Sequence, residues 1–316
     1  MSTLPCGAPF MLDFDGKLIR AETSRFGARV FLIRQGVRHW VSNGEWFKQN
    51  GVEWPAGVTD VSAEVVESFK PGRMASMRYS EDQRRSFAPT DVIGARELLV
   101  SGLFGTGLEI GPGSNPMPIP LDCEVIYGDV FTGEFLKANL YDGQDSRDII
   151  DPHVIVSFDS LEKFPDKSFD FIVACHVIEH TANPIRAIIE GVRKLRKGGS
   201  LALVVPDIEK TFDRNRPVTP LEHLVSDYVD PSRERDKENF QEFYKLAFPV
   251  AEDQYESVWQ AKWAEEFPIH YHTWDFASFG RMIDWIRLND CQLAEVRAHH
   301  PVHLGDAIEF YYLLTV

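Results

Sequence analysis

Leu108-Glu-Ile-Gly-Pro-Gly-Ser-Asn-Pro116 decides the reading of this chain. An apolar run, Gly107-Leu-Glu-Ile110, ends in Gly111 and Gly113. Glycines there let the backbone turn sharply at the carboxyl edge of a strand and approach a ligand closely. A lone GxG is a weak signal, and its bland meaning is a tight turn in some α/β protein. A second strand and a carboxylate downstream give it weight. Glu124-Val-Ile-Tyr127 reads as that strand, closed by Asp129, 18 residues beyond Gly111, where a carboxylate can accept both ribose hydroxyls of an adenosyl ligand.

His153-Val-Ile-Val-Ser157, Phe169-Asp-Phe-Ile-Val-Ala174 and Ser200-Leu-Ala-Leu-Val-Val205 read as further strands. Such β-branched runs suit a parallel sheet covered on both faces. Between the last two, Asn183 is an N-cap and Pro184 suits the first turn. Ile185, Ile188, Ile189, Val192 and Leu195 form one apolar face of a helix that Gly198-Gly199 stops. Pro116, Pro118 and Pro120 leave almost no room for a helix between the first two strands. A dinucleotide enzyme binds pyrophosphate at that helix's N-terminus, so the prolines weigh against an oxidoreductase.

The ordered set Phe164-Pro-Asp-Lys-Ser-Phe-Asp-Phe-Ile-Val-Ala-Cys-His-Val-Ile-Glu-His180, with Leu195-Arg-Lys-Gly-Gly199 after it, resembles the class I S-adenosylmethionine-dependent methyltransferases. The resemblance is to a bacterial subgroup with an HVIEH signature, and it covers residues 105–316. It implies a doubly wound, mostly parallel, seven-stranded Rossmann-like α/β sheet whose last strand is antiparallel. It also implies S-adenosyl-L-methionine as cofactor. Glu109, Gly111, Pro112, Gly113 and Asn115 would surround its methionine part, and Asp129 its ribose. Phe158, Asp159 and Ser160 would border adenine, and Cys175 and His176 would line the methyl-donor pocket. Members of this subgroup occur among glycan and polysaccharide functions, which implies a sugar or other small hydroxylated acceptor.

His176-Val-Ile-Glu-His180 also matches H-x-x-E-H, a zinc-protease signature. That chemistry needs both histidines on one helical face, whereas His176 falls at a strand end and the helix begins near Asn183. A hydroxyl acceptor needs a base, and His176, His180, His223, His270 and His272 are the candidates. Trp259, Trp263, Tyr271 and Trp274 offer stacking, with Arg214, Arg216 and Asp207 for hydroxyls or a phosphate. Asp207, His223, Asp227, His270 and His272 would hold a divalent metal if they converged, but no spacing compels it, and no metal is expected. Methylation at nitrogen and a non-catalytic scaffold on the same fold are the alternatives.

The remaining sequence sets limits. Residues 1–72 read as a small β-rich module with a hairpin, Arg29–Ile33 and Val37–Val41 around Arg34-Gln-Gly36, and further turns at Asn43-Gly44 and Asn50-Gly51. Trp40, Trp46 and Trp54 suit its small core better than an exposed recognition face. Residues 73–93 read as a linker, 94–316 as the main domain, and 208–275 as a helical insertion in it. A net charge of −15 weighs against a broad nucleic-acid interface. Cys6, Cys123, Cys175 and Cys291 form neither a finger nor a disulfide framework. No run is long enough to span a bilayer, and a cytoplasmic protein is expected.

Overall fold

The computed structural model describes residues 13–23, 25–141, 145–290 and 292–316. Cys6 and Cys291 lie outside the described residues.

The N-terminal segment builds a five-stranded sheet from β1 (Leu18–Arg20), β2 (Val30–Arg34), β3 (Val37–Val41), β4 (Val58–Asp60) and β5 (Lys70–Pro71), in the order β4-β1-β2-β3-β5. The β2–β3 hairpin closes on Gln35 and Gly36, both at positive φ. That conformation matches the right-handed strand twist. Asn43-Gly44 is not the turn its composition suggested. The Asn43 side chain accepts from the Trp46 amide and starts α1 (Gly44–Gln49), which buries Trp46 and Phe47. Capping and turn formation draw on the same side-chain chemistry, so the dipeptide alone does not separate them. A further helix, α2 (Ala63–Ser68), contributes Val66 to a second small cluster with Ile19, Ile33 and Phe69.

Residues 73–93 are tied down at several points. Ala75 bridges to Val41, and the Arg73 guanidinium donates to the carbonyls of Ile119, Pro120 and Cys123. A short helix, α3 (Glu81–Ser86), lies within this stretch, opened by a capping box between Ser80 and Gln83. Beyond it α4 (Val92–Val100) leads into the main sheet.

That sheet has seven strands: β6 (Thr106–Ile110), β7 (Glu124–Asp129), β8 (Val154–Ile155), β9 (Phe169–Cys175), β10 (Leu195–Pro206), β11 (Glu295–His299) and β12 (Glu309–Thr315). Their order is β11-β12-β10-β9-β6-β7-β8, with β12 antiparallel to both neighbours and the pairs from β10 to β8 parallel. This is the doubly wound, Rossmann-like arrangement. The strand order reverses between β6 and β9, so a crevice opens above their carboxyl ends, where ligands bind in such sheets.

Both faces are buried. Leu108, Ile172, Leu201 and Leu203 face one large core with Ile185 and Ile188 of α6 (Pro184–Lys194). Phe171, Val173, Ala202 and Val204 face the other. A helix, α5 (Gly133–Asn139), follows β7, but among the described residues no helix links β6 to β7. Met117 and Ile119, both fully buried, pack into the second core with Ala95 and Val100 of α4 instead. The proline-rich stretch thus covers the sheet with side chains where a helix would otherwise lie.

Two boundaries differ from the sequence reading. α6 ends at Lys194, and Leu195 already pairs with Phe169 in β10. Gly198 and Gly199 sit at a register shift inside β10, so the glycines bend a strand instead of stopping a helix. The third strand is shorter than its apolar run, Val154–Ile155 only, and lies at the edge of the sheet. After β10 the chain adds α7 (Leu221–Val229), α8 (Arg233–Glu242), a π-turn over Phe243–Ala247 and α9 (Glu252–Ala264) before α10 (Phe276–Asn289) returns to the sheet. Phe240, Phe243, Tyr244, Trp259 and Ile269 give these helices a core of their own. Among the described residues no helix is long and apolar enough to cross a membrane.

Candidate active site

The glycine loop leaves β6 at the reversal point. Gly111 and Gly113 have φ of +66° and +53°, in the left-handed region that L side chains rarely adopt. A Cβ on Gly111 would stand 2.7 Å from Val177 Cγ2, and one on Gly113 would collide with the Tyr141 hydroxyl. Glycine is therefore required twice by conformation and twice by space. Pro112 is buried beneath the loop, and Asn115 is exposed on it.

Two carboxyls border the loop. Glu109 is 1% exposed; its Oε1 accepts from the Met117 amide at 2.6 Å and its Oε2 has no partner. Burial pushes its pKa up to about 8. An orphaned buried carboxyl oxygen beside a glycine cradle fits a ligand that brings an ammonium group. Asp129 ends β7, is mostly buried, and accepts from the Phe131 amide at 3.0 Å. Burial raises its pKa as well, against two backbone amides that lower it. These features suit an adenosyl amino acid, whose ribose hydroxyls and amino group are donors.

In the loop after β8, Ser157 Oγ donates to Asp159 Oδ1 at 2.6 Å, and Ser160 is exposed. Phe158, expected at an adenine border, is 1% exposed and belongs to the core under α6. Its ring therefore serves the fold, and only its backbone remains for a ligand. Cys175 ends β9, and burial pushes its thiol well above the ordinary range, which favours the protonated form.

The next residue, His176, has φ of +52°. A non-glycine residue held there stores strain, as residues at functional sites often do. Its Nε2 donates to Glu309 Oε2 at 2.7 Å, and its Nδ1 stands 3.7 Å from Glu179 Oε1. Glu309, on β12, also accepts from Arg96 through both oxygens at 2.8 and 2.6 Å and from the Tyr311 hydroxyl at 2.7 Å. Burial alone would raise the Glu309 pKa, but Arg96 and His176 bring it down to about 2. For His176 burial acts downward, and the two glutamates more than offset it, leaving its pKa above the ordinary histidine value.

His176 opens onto a cleft of about 630 Å³ that includes Glu179, His180, Phe212, Arg214 and His270. His180 donates from Nδ1 to the Ile269 carbonyl at 2.9 Å, and burial lowers its pKa. His270 donates from Nδ1 to Asp213 Oδ2 at 2.6 Å. Asp213 is held ionised by His270 and Arg216 despite its burial.

Three of the five candidate histidines therefore meet in one cleft, and two do not. His223 and His272 lie against Asp227, at 3.1 and 3.7 Å, in a buried network outside it. The wider metal constellation imagined for Asp207, His223, Asp227, His270 and His272 is thus divided. Asp207 caps a turn by accepting from the Glu209 amide and pairs with His300.

Most of the expected sugar platform is also structural. Trp259 and Trp274 are 6% and 1% exposed in two cores. Trp263 and Tyr271 pack against the Trp259 cluster. Arg216 is buried, paired with Asp213 and Glu242 and bonded to the carbonyls of His270 and Tyr271. A segment that leaves the sheet must supply its own core, and the tryptophans do that. The aromatic ring that does face the cleft is Phe212, 46% exposed and 4.7 Å from the His270 ring centroid. Glu179, Asp213 and Glu309 also belong to the site and were not among the expected residues. Glu179 lay visible in the H-x-x-E-H string, whereas nothing in the spacing joins Glu309 to His176.

Residues 108–203 match the family model described as "Methyltransferase domain". No curated protein matches the chain. Among solved structures, the chain is similar to a methyltransferase of Thermotoga maritima described as a possible histamine N-methyltransferase, at 18% identity over 66% of this chain and 81% of that one, with a TM-score of 0.35. It is similar also to a putative methyltransferase of Bacillus halodurans, at 14% identity, 66% and 72% coverage and a TM-score of 0.35. A putative S-adenosylmethionine-dependent methyltransferase of Methanococcus maripaludis gives 16% identity, 74% and 89% coverage and a TM-score of 0.33. The strand order and the glycine cradle agree with the methyltransferase domain matched over residues 108–203, and the chain is an S-adenosylmethionine-dependent methyltransferase.

Proposed function

We propose that the enzyme methylates a hydroxyl of a sugar or another small hydroxylated acceptor held in the His176 cleft, with His176 as general base. The observation that carries this reading is the Glu309–His176 pair at a strained strand end beside the glycine loop. Glu309, anchored by Arg96, accepts the hydrogen bond from Nε2–H and so leaves Nδ1 as the acceptor on the cleft side. A carboxylate that fixes the tautomer and steadies the protonated ring is the usual support of a histidine base.

Glu109, the Gly111–Gly113 backbone and Asp129 would hold the cofactor, with Asp159 and Ser160 at its adenine end. When bound, S-adenosylmethionine supplies an electrophilic methyl group: the new oxygen–carbon bond forms as the carbon–sulfur bond breaks, and the electron pair stays on sulfur. The chain's work is to position the acceptor and accept its proton at His176 Nδ1. Lys210, Thr211, Arg214 and Asn215 give the cleft donors for hydroxyls or a phosphate, and Phe212 gives an apolar face for a ring.

The test uses methyl-labelled S-adenosylmethionine with a panel of methyl glycosides and sugar phosphates beside a panel of small amines. Label in a glycoside ether supports the reading, and label only in amines contradicts it. His176→Gln should lower kcat about 100- to 10,000-fold while leaving the cofactor's Kd within about twofold. An unchanged kcat would remove His176 as the base.

A further inference from the structure

The inner wall of the cleft carries a donor set beyond the Glu309–His176 pair. Glu179 and His180 lie on the short turn after β9, and His270 lies on the segment entering α10. The Tyr271 amide donates to the Glu179 carbonyl at 2.7 Å and clamps these two segments together. The His180 and His270 rings meet edge to face with centroids 4.7 Å apart. One donor atom from each of Glu179, His180 and His270 lies within 4.8 Å of the others.

Glu179 is 1% exposed, yet neither carboxyl oxygen has a hydrogen-bond partner. A buried carboxyl left without a hydrogen bond is costly to the fold and calls for a ligand. Both histidines are oriented toward the same point. His180 commits Nδ1 to the Ile269 carbonyl, and His270 commits Nδ1 to Asp213, so each turns Nε2 inward. His270 Nε2 stands 4.0 Å from Glu179 Oε1. A ring nitrogen tied to a carboxylate or carbonyl while the other points inward is the outer-shell pattern of metal-binding histidines.

We infer that Glu179, His180 and His270 bind one divalent transition-metal cation on the wall of the cleft, with open coordination positions facing the acceptor space. Two imidazole nitrogens and one carboxylate suit manganese, cobalt or zinc, and leave room for an oxygen ligand. Bonds of about 2.1 Å require the donors to draw in by roughly 1 Å, which side-chain rotation supplies. The second cluster, His223, Asp227 and His272, is a poorer host. Asp227 is already paired with Arg235 at 2.9 Å, His272 Nε2 is directed at the Ala182 carbonyl, and none of the three lines the cleft. The ion's role, to hold and acidify the acceptor hydroxyl, rests on the O-methyltransfer reading; its binding does not.

The experiment uses the full, tag-free chain, stripped with a chelator and titrated with Co²⁺, read by calorimetry, visible absorption and thermal midpoint. One Co²⁺ per chain is expected, with absorption bands from nitrogen and oxygen ligands and a raised midpoint. Glu179→Gln should abolish binding without lowering the metal-free midpoint, because its carboxyl makes no hydrogen bond in the fold. Asp213→Asn should weaken binding about 10- to 100-fold, and Asp227→Asn should leave it unchanged. Absence of Co²⁺ binding by the folded wild-type chain at millimolar ion overturns the inference. So does binding that survives Glu179→Gln, or that Asp227→Asn removes. Co²⁺ bound as expected by a chain that methylates only amines would leave the site standing and refute the acceptor reading alone.

Discussion

Replacing Gly111 with alanine separates two costs that the cofactor loop combines. Gly111 lies at φ +66°, so any L side chain incurs about 1–2 kcal/mol of backbone strain. Gly198, at φ +81° with nothing within 4 Å of a Cβ, carries the strain without the contact. At Gly111 the new methyl would stand 2.7 Å from Val177 Cγ2, so one of the two must move by roughly 1 Å to reach ordinary contact. The Gly111 amide is pinned to the Gly128 carbonyl at 2.8 Å, so displacement falls on Val177 and the glycine cradle. Gly111→Ala and Gly198→Ala should each lose about 1–2 kcal/mol in urea unfolding. Gly111→Ala alone should weaken S-adenosylmethionine binding at least about tenfold, or about 1.4 kcal/mol, by calorimetry. Adding Val177→Ala should recover much of that affinity, giving a coupling energy that a remote strain would not show. Wild-type affinity in Gly111→Ala, or no recovery in the double variant, would refute the placement of the cofactor on this loop.

Two buried groups give further expected outcomes. Asp129→Ala should lower cofactor affinity by about 1.5–3 kcal/mol, the worth of charge-assisted hydrogen bonds, in the same calorimetric titration. Burial penalises the ionised Asp129 in the fold, so the variant's thermal midpoint should hold or rise; a collapse of the midpoint would make Asp129 structural instead. His39 in the N-terminal sheet is 8% exposed and donates from Nδ1 to the Arg73 carbonyl at 2.7 Å. Burial lowers its pKa from 6.5 to about 4. The fold thus favours its neutral form, and its contribution is fully present above pH 6.5 and lost as pH falls toward 4. The loss amounts to about 3 kcal/mol. Urea unfolding between pH 7 and 4 should show a shallower loss in His39→Gln than in wild type, and equal slopes would contradict this assignment.

The sheet was legible because its signals are local. Each apolar run announces a strand, and Pro116, Pro118 and Pro120 forbid the helix between β6 and β7 that Met117 and Ile119 replace. Glycines were legible as turns but not as to which kind: Gly198 and Gly199 bend β10 where they were expected to stop a helix. The cleft was only half legible. His176 and His180 stood out by residue type, yet which histidines share a cleft depends on how the segment after β10 folds back. That fold brings His270 to His180 and takes His272 to Asp227, although the two histidines are two residues apart. No composition rule says which of two nearby histidines turns to the site, because contacts from distant segments decide it. Trp259 and Trp274 misled for a related reason, since an aromatic ring fits a core and a sugar platform equally well until burial is known. Glu309 lies 133 residues from His176 and meets it only because β12 inserts antiparallel beside β10.

A crystal structure with S-adenosylhomocysteine bound tests the placement of cofactor and acceptor most directly. The ribose hydroxyls should lie on the Asp129 carboxylate, the amino group near Glu109 Oε2, and the sulfur should face the His176 cleft. Sulfur facing away from His176, or a ligand bound elsewhere than on the Gly111–Gly113 loop, would contradict that placement.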